Sequence, residues 1–243
     1  MPGDRLQRIR RRLEIVDGGP VGTARLCDVC AEMTEMSGAG IMLMDGDLPQ
    51  GSVCTTDAVS ALIEELQYTL GEGPCVDAYS QRRPVVEPDL ADPAAPRWLA
   101  FTPPAVEAGA RAVFGFPIDV GAARLGALNL YRDRPGPLTD GQYADALVMA
   151  DVAAQVVIGM QVDATPGAIG AQLEIGTNFQ FVVHQASGMV AVQMGVNVTE
   201  ALIRLRAHAF RDGRLVADVA NDVVEGRLRF DDAGGRPTQT ANG

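Results

Sequence analysis

Hydrophobic positions along the chain fall into runs with two different periods, separated by glycine and proline. Residues 3–16 (GDRLQRIRRRLEIV) place Leu6, Ile9, Leu13 and Val16 at three- and four-residue spacing, which predicts a short amphipathic basic helix ended by Gly18-Gly19-Pro20. Residues 22–37 carry Ala24, Cys27, Ala31 and Met36 at helical intervals. GIMLMDGD reads as a buried strand and hairpin, with SVCTTDA as its partner strand. Helical period returns over 58–70 through Val59, Leu62, Ile63, Leu66 and Leu70, and Gly71-Glu72-Gly73-Pro74 breaks it. Val85-Val86 is a short strand, and 88–104 reads as a loop with a short helix around Trp98. RAVFGFPIDV and RLGALNLYR form two strands joined near Gly121-Ala122. Thr139 then caps a helix over 140–161 with the stripe Tyr143, Leu147, Ala150, Val157 and Ile158. This order predicts an α+β domain, an antiparallel sheet with flanking helices.

The stretch 162–176 (VDATPGAIGAQLEIG) holds a proline and three glycines and reads as a boundary. Three helical segments follow, at about 178–194, 200–211 and 216–228, the second with Thr199 as N-cap and Glu200 favourably placed against the helix dipole. Helices this short are marginal alone. Packed around Val182, Met189, Leu202, Leu205, Val219 and Val223 they make a small all-α three-helix domain. The chain thus divides into a basic helix (1–21), the α+β domain (22–162), a linker (163–176), the helical domain (177–230) and a tail (231–243) whose composition predicts disorder.

Charge refines this division. Residues 20–162 carry 8 Arg against 19 acids, a net of −11, whereas residues 177–230 carry 6 Arg against 5 acids, a net of +1. All 20 basic residues are Arg. An overall pI near 4.6 argues against nucleic-acid binding through a broad basic field, so any such contact must be local and arginine-based. With no apolar span or signal segment, the expected location is the cytoplasm.

Enzyme chemistry finds little support. A Walker-type phosphate loop needs a lysine, and the two histidines, His184 and His208, both lie in the helical part, away from any nucleophile of the first domain. The expectation is therefore no catalytic residue, no metal and no cofactor. Cys27-Asp28-Val29-Cys30 has the spacing of a redox or metal pair, and Cys54 and Cys75 would be needed to complete a zinc set. The favoured reading is small buried side chains.

Residues 183–230 (VHQASGMVAVQMGVNVTEALIRLRAHAFRDGRLVADVANDVVEGRLRF) resemble the ANTAR family throughout. The match runs through Gln185-Ala186-Ser187-Gly188-Met189, the Thr199-Glu200-Ala201 start, Leu205-Arg206, Ala209 and the Leu215/Val219-Ala220 close. Ser187 stands where many members carry lysine. The resemblance implies a three-helix unit that binds paired RNA hairpin loops as a dimer and prevents transcription termination. It makes Gln185, Ala186, Ser187, Gly188, Arg204, Arg206, His208, Arg211 and Arg214 the candidate RNA-binding residues. The residues themselves leave alternatives open. Small Ala186, Ser187 and Gly188 also suit tight helix packing. Arg204, His208 and Arg211 share one face of their helix at about 100° per residue, either solvated or bound to RNA. Arg206, with its stem along apolar neighbours, suits a structural pair with Asp218 or Asp222 as well as a phosphate.

Residues 22–160 resemble a GAF domain through Ser37-Gly38-Ala39-Gly40-Ile41, Leu70-Gly71-Glu72-Gly73-Pro74-Cys75 and Gly126-Ala127-Leu128-Asn129-Leu130. This resemblance implies a six-stranded antiparallel sheet with a ligand pocket on one face. Together the two resemblances imply a signal-dependent antitermination regulator with RNA and an unknown small molecule as partners. Wide apolar stripes on the helices at 140–161 and 178–194 predict a homodimer. The rival is a ligand-, redox- or metal-sensing scaffold whose helical tail only dimerises.

Overall fold

The computed structural model describes residues 2–14, 23–45, 48–92, 97–163, 178–230 and 238–239. It divides into two compact units, 1–176 and 177–243. The linker expected at 163–176 lies almost wholly outside the described residues.

In the first unit, α1 (Pro2–Glu14) and α2 (Thr23–Thr34) precede the hairpin β1 (Gly38–Asp45) and β2 (Leu48–Thr55). Then come α3 (Ala58–Leu70), α4 (Pro74–Gln81), β3 (Val85–Glu87), α5 (Thr102–Glu107), the hairpin β4 (Ala112–Val120) and β5 (Ala123–Arg132), and α6 (Asp140–Asp163). The sheet has five strands in the order β2-β1-β5-β4-β3, every neighbour antiparallel. The sixth strand expected from the family resemblance is absent among the described residues. The sequence reading also missed α4, because Gly71 to Pro74 reads as a loop. Pro74 in fact opens a helix, where its fixed φ and missing N–H cost nothing.

The sheet separates two helical layers. One face packs against α2 and α6, with Ile41, Phe114, Phe116, Ile118, Leu128 and Leu130 meeting Leu26, Val29, Met149 and Ala153 in a dry core. The other packs against α3 and α4. Strand alternation makes this possible: Leu128 and Leu130 face the first layer, and Asn129 between them faces the second. On α6 the stripe is rotated from the one read in the sequence. Ala150 and Val157 of that stripe are buried, but Tyr143 and Leu147 are more than one-third exposed, and Ala146, Met149 and Ala153 are buried in their stead. Small residues let α6 lie close to the sheet, and size rather than hydropathy selects the face. Thr139 caps α6 as expected, its hydroxyl accepting from Gln142 N at 3.2 Å while Gln142 Oε1 accepts from Thr139 N at 3.0 Å.

The N-terminal basic helix is not a separate part. Buried Ile9 and Leu13 join the first core, and Asp145 on α6 accepts from Arg5 at 2.6 Å and Arg8 at 3.0 Å. Cys27 of α2 is disulfide-bonded to Cys54 of β2, whereas Cys30 and Cys75 are free and buried. This corrects the reading of Cys27 as a packing side chain, while Cys30 is buried as that reading has it. Two sulfurs held in a disulfide also leave no Cys₄ zinc set, and among the described residues no His, Cys, Asp and Glu side chains group to hold a metal.

The second unit contains α7 (Asn178–Met194), α8 (Val198–Arg211) and α9 (Val216–Val224), followed by β6 (Leu228–Arg229) paired with β7 (Thr238–Gln239). Its core holds Val183, Ala186, Val190, Leu205, Ala209, Val219 and Val223, with Val182 and Met189 only half-buried. Asn197 rather than Thr199 caps α8, accepting from Glu200 N at 2.8 Å. Both residues suit the role, and the helix starts two residues earlier than expected. β7 is a short strand in the stretch expected to be disordered, whose other residues lie outside those described. No helix among the described residues is long and apolar enough to cross a membrane.

Candidate functional site

Two sets of residues carry functional potential, one in each unit. In the first unit the set lies between the sheet and α3. Asp57 and Ser60 form a reciprocal capping box at the start of α3, and Tyr131 of β5 donates to Asp57 at 2.7 Å, fixing that helix end to the sheet. One and two turns on, Glu64 and Gln67 turn inward and are fully buried. Glu64 Oε1 accepts from Asn129 Nδ2 at 3.3 Å, and Gln67 Oε1 accepts from the backbone N–H of Cys75 at 2.7 Å. Two glycines make room: a Cβ on Gly40 would lie 2.6 Å from Glu64, and one on Gly73 would lie 2.5 Å from Gln67. Gly73 also has φ of 138°, a conformation L side chains avoid.

This cluster is unusual for a protein interior because its polar atoms are incompletely paired. Glu64 Oε2, Gln67 Nε2 and Asn129 Oδ1 are buried with no hydrogen-bond partner. Each such atom costs free energy unless something satisfies it. Burial pushes the Glu64 carboxyl up to about 8, against the opposing pull of bonds from Asn129 and Ser52. Burial, with the Glu64 charge beside it, also pushes the Cys75 thiol well up, so this sulfur is a poor nucleophile. With the Glu64 carboxyl protonated at neutral pH, the cluster presents two unpaired donors, Glu64 Oε2 and Gln67 Nε2, and one unpaired acceptor, Asn129 Oδ1. Reading α3 as a purely apolar stripe missed it. The available signal was Glu64 and Gln67, polar residues at i and i+3 among Ile63, Leu66 and Leu70.

Beside the cluster, the start of α5 is held by carboxylates. Glu72 accepts from the backbone of Ala100 at 2.7 Å and Phe101 at 2.9 Å, and Asp77 accepts from Arg97 at 3.0 Å and the Trp98 indole at 3.1 Å. Trp98 has φ of 52°, a strained value for a bulky residue.

In the second unit the nine candidate residues separate. Ala186 and Ser187 are buried, and Ser187 donates within its own helix to Val183 O at 2.7 Å, so both side chains serve packing. Gln185 is exposed and Gly188 half-buried. His208 does not share an outward face with Arg204 and Arg211. It is 7% exposed, with its ring edge-on to Phe230. Its Nδ1 accepts from Arg211 at 2.6 Å, so the proton sits on Nε2, which faces Asp212 at 3.2 Å. Burial lowers its pKa and keeps the ring neutral. Arg204 pairs with Glu200 at 2.6 Å, Arg211 with Asp212 at 2.8 Å and Arg214 with Asp222 at 2.7 Å. Asp222 also binds Arg227, so it is already shared by two arginines. Arg206 is half-buried.

The GAF domain family model matches residues 23–157. No curated protein matches. Among solved structures, a domain of a putative two-component sensor histidine kinase from Sinorhizobium meliloti 1021 is 20% identical with a TM-score of 0.45, covering 57% of this chain and 89% of that one. The GAF domain of a phosphoenolpyruvate-protein phosphotransferase from Coxiella burnetii is 13% identical with a TM-score of 0.49, covering 66% and 95%. A type II free methionine-R-sulfoxide reductase from Thermoplasma acidophilum is 16% identical with a TM-score of 0.44, covering 64% and 96%.

Proposed function

This chain belongs to the GAF domain family, and on that premise we propose that it is a signal-dependent regulator of transcription termination: a binding protein, not an enzyme. In this reading a small molecule settles on the Glu64, Gln67 and Asn129 cluster of the first unit. The second unit binds hairpin RNA through Arg204, Arg206, Arg211 and Arg214, with Gln185 and Gly188 at the edge of the surface. The observation that supports it best is the separate unit of residues 177–243, in which α7, α8 and α9 span the stretch that resembles the ANTAR family.

In vitro selection of tandem-hairpin RNA with randomised loops, using the full chain, tests the proposal. Enrichment of defined loops is expected, and Arg204→Ala with Arg211→Ala should weaken the selected RNA by roughly tenfold or more. Failure to enrich any RNA would overturn it. The second reading is a ligand-sensing scaffold whose helices only dimerise. The ion pairs that Arg204, Arg211 and Arg214 already make within the unit favour it. Undiminished RNA binding by the folded double variant would move the role away from this face.

A further inference from the structure

Helix α8 is apolar on two sides. Its inward side buries Ala201, Leu202, Leu205 and Ala209 in the three-helix core. Its outward side carries Ile203, Ala207 and Phe210, a stripe at i, i+4 and i+7. Ile203 is 51% exposed and Phe210 is 61% exposed. A helix that only had to complete a three-helix core would carry polar residues there. Arginines flank the stripe on both sides, Arg206 on one and Arg204 with Arg211 on the other.

Resting on the RNA-binding reading above, we propose that Phe210 is the platform on which an unpaired base of the bound RNA loop stacks, with Ile203 extending the apolar floor. Three features favour RNA over a protein on this stripe. An exposed aromatic ring among arginines is the combination that binds single-stranded bases, whose faces stack while guanidinium groups reach the backbone. The Arg204–Glu200 pair lies at the surface, so exchanging that carboxylate for a phosphate costs little. The stripe is also small. Ile203 and Phe210 leave on the order of 200 Å² uncovered, given the 150–250 Å² an aromatic side chain can bury. A stable protein partner needs roughly 800 Å² per side.

The test uses the full chain and a tandem-hairpin RNA selected on the wild-type protein. Phe210→Ala should weaken binding roughly 5- to 150-fold, with an unchanged salt dependence because stacking releases no counterions. Phe210→Tyr should stay within about threefold of wild type and Phe210→Leu should fall with the alanine variant, because leucine keeps apolar area but has no ring face. Phe210 is 61% exposed, so replacing it leaves the core intact, and circular dichroism of each variant checks the fold. Wild-type affinity in Phe210→Ala or Phe210→Leu would overturn the proposal. So would a loss explained by conversion of a dimer to a monomer in light scattering, which would make the stripe a seam between copies. If the wild-type chain enriches no RNA, the RNA-binding reading fails, and this proposal falls with it.

Discussion

Removing the Cys27–Cys54 bond gives the most direct test of how the first unit is held together. The bond ties α2 to β2 across a sequence separation of 27 residues. Closing a loop of that length in the unfolded chain removes conformational entropy worth about 3.5 kcal/mol at 25 °C. For a unit of this size each kcal/mol moves the melting point by roughly 2–4 °C. Replacing both cysteines by alanine should therefore lower the first unit's transition by about 7–14 °C in scanning calorimetry, and reductant should lower the wild type similarly. The second unit has no cysteine, so its transition serves as an internal reference. Alanine avoids the buried hydroxyls that serine would introduce beside Leu26 and Val29. Alkylation under denaturing, non-reducing conditions should label Cys30 and Cys75 alone. Labelling of all four residues in protein purified under air, or an unmoved first transition, would refute the reasoning. Reducing compartments keep such pairs as thiols, so the same measurement under reductant gives the stability that would apply in one.

Three further outcomes follow from single residues. Glu64 binds its proton up to about pH 8 in the fold against the ordinary 4.5, so the stability this contributes is complete below 4.5 and is lost as pH rises through 8. Glu64→Gln should flatten that decline in thermal melts and outlast wild type at pH 8.5, and superimposable profiles would contradict it. Asp145→Ala removes the shared acceptor of Arg5 and Arg8 and should cost about 1–2 kcal/mol, discounted for the exposure of both arginines. Limited trypsin digestion should then cut α1 first, and an unchanged cleavage order would count against that anchoring role. Because burial lowers the His208 pKa, the unfolded chain takes up a proton there before the folded one does, and the second unit loses stability as pH falls below about 6.5. His208→Gln should remove this dependence from the second calorimetric transition. Its persistence would assign it to another group.

The parts that were legible in the sequence were those in which one physical signal acts alone. The α3 boundaries emerge from period and from the Gly71 break, and the β4–β5 pair from two apolar runs around a short turn. The misreadings arose where two signals compete. Pro74 after glycines reads as a breaker, yet proline also opens helices, and α4 was missed. On α6, Tyr143 and Leu147 carry more apolar surface than alanine, but close packing on the sheet selects Ala146 and Ala153. His208 seemed to join Arg204 and Arg211 by angle alone. The ring of Phe230, 22 residues on, covers it, a contact that no local pattern encodes. The Glu64 cluster was hidden for a related reason: buried polar residues interrupt an apolar period only slightly, and their convergence with Asn129 depends on pairing between β1 and β5.

The opposite duties of the two faces of the sheet set what this domain can change over evolutionary time. Along β5, Leu128 and Leu130 hold the fold while Asn129, one peptide away, belongs to the polar cluster. Substitutions at 129, or at 64 and 67, can alter the polar cluster without touching the apolar layer on the other face. Insertions have no such freedom. A one-residue slip in β5 would turn Asn129 into the apolar core and a leucine toward Glu64, exchanging every role on the strand at once. The five-strand scaffold is therefore permissive to point changes in the polar cluster and intolerant of length changes within its central strands.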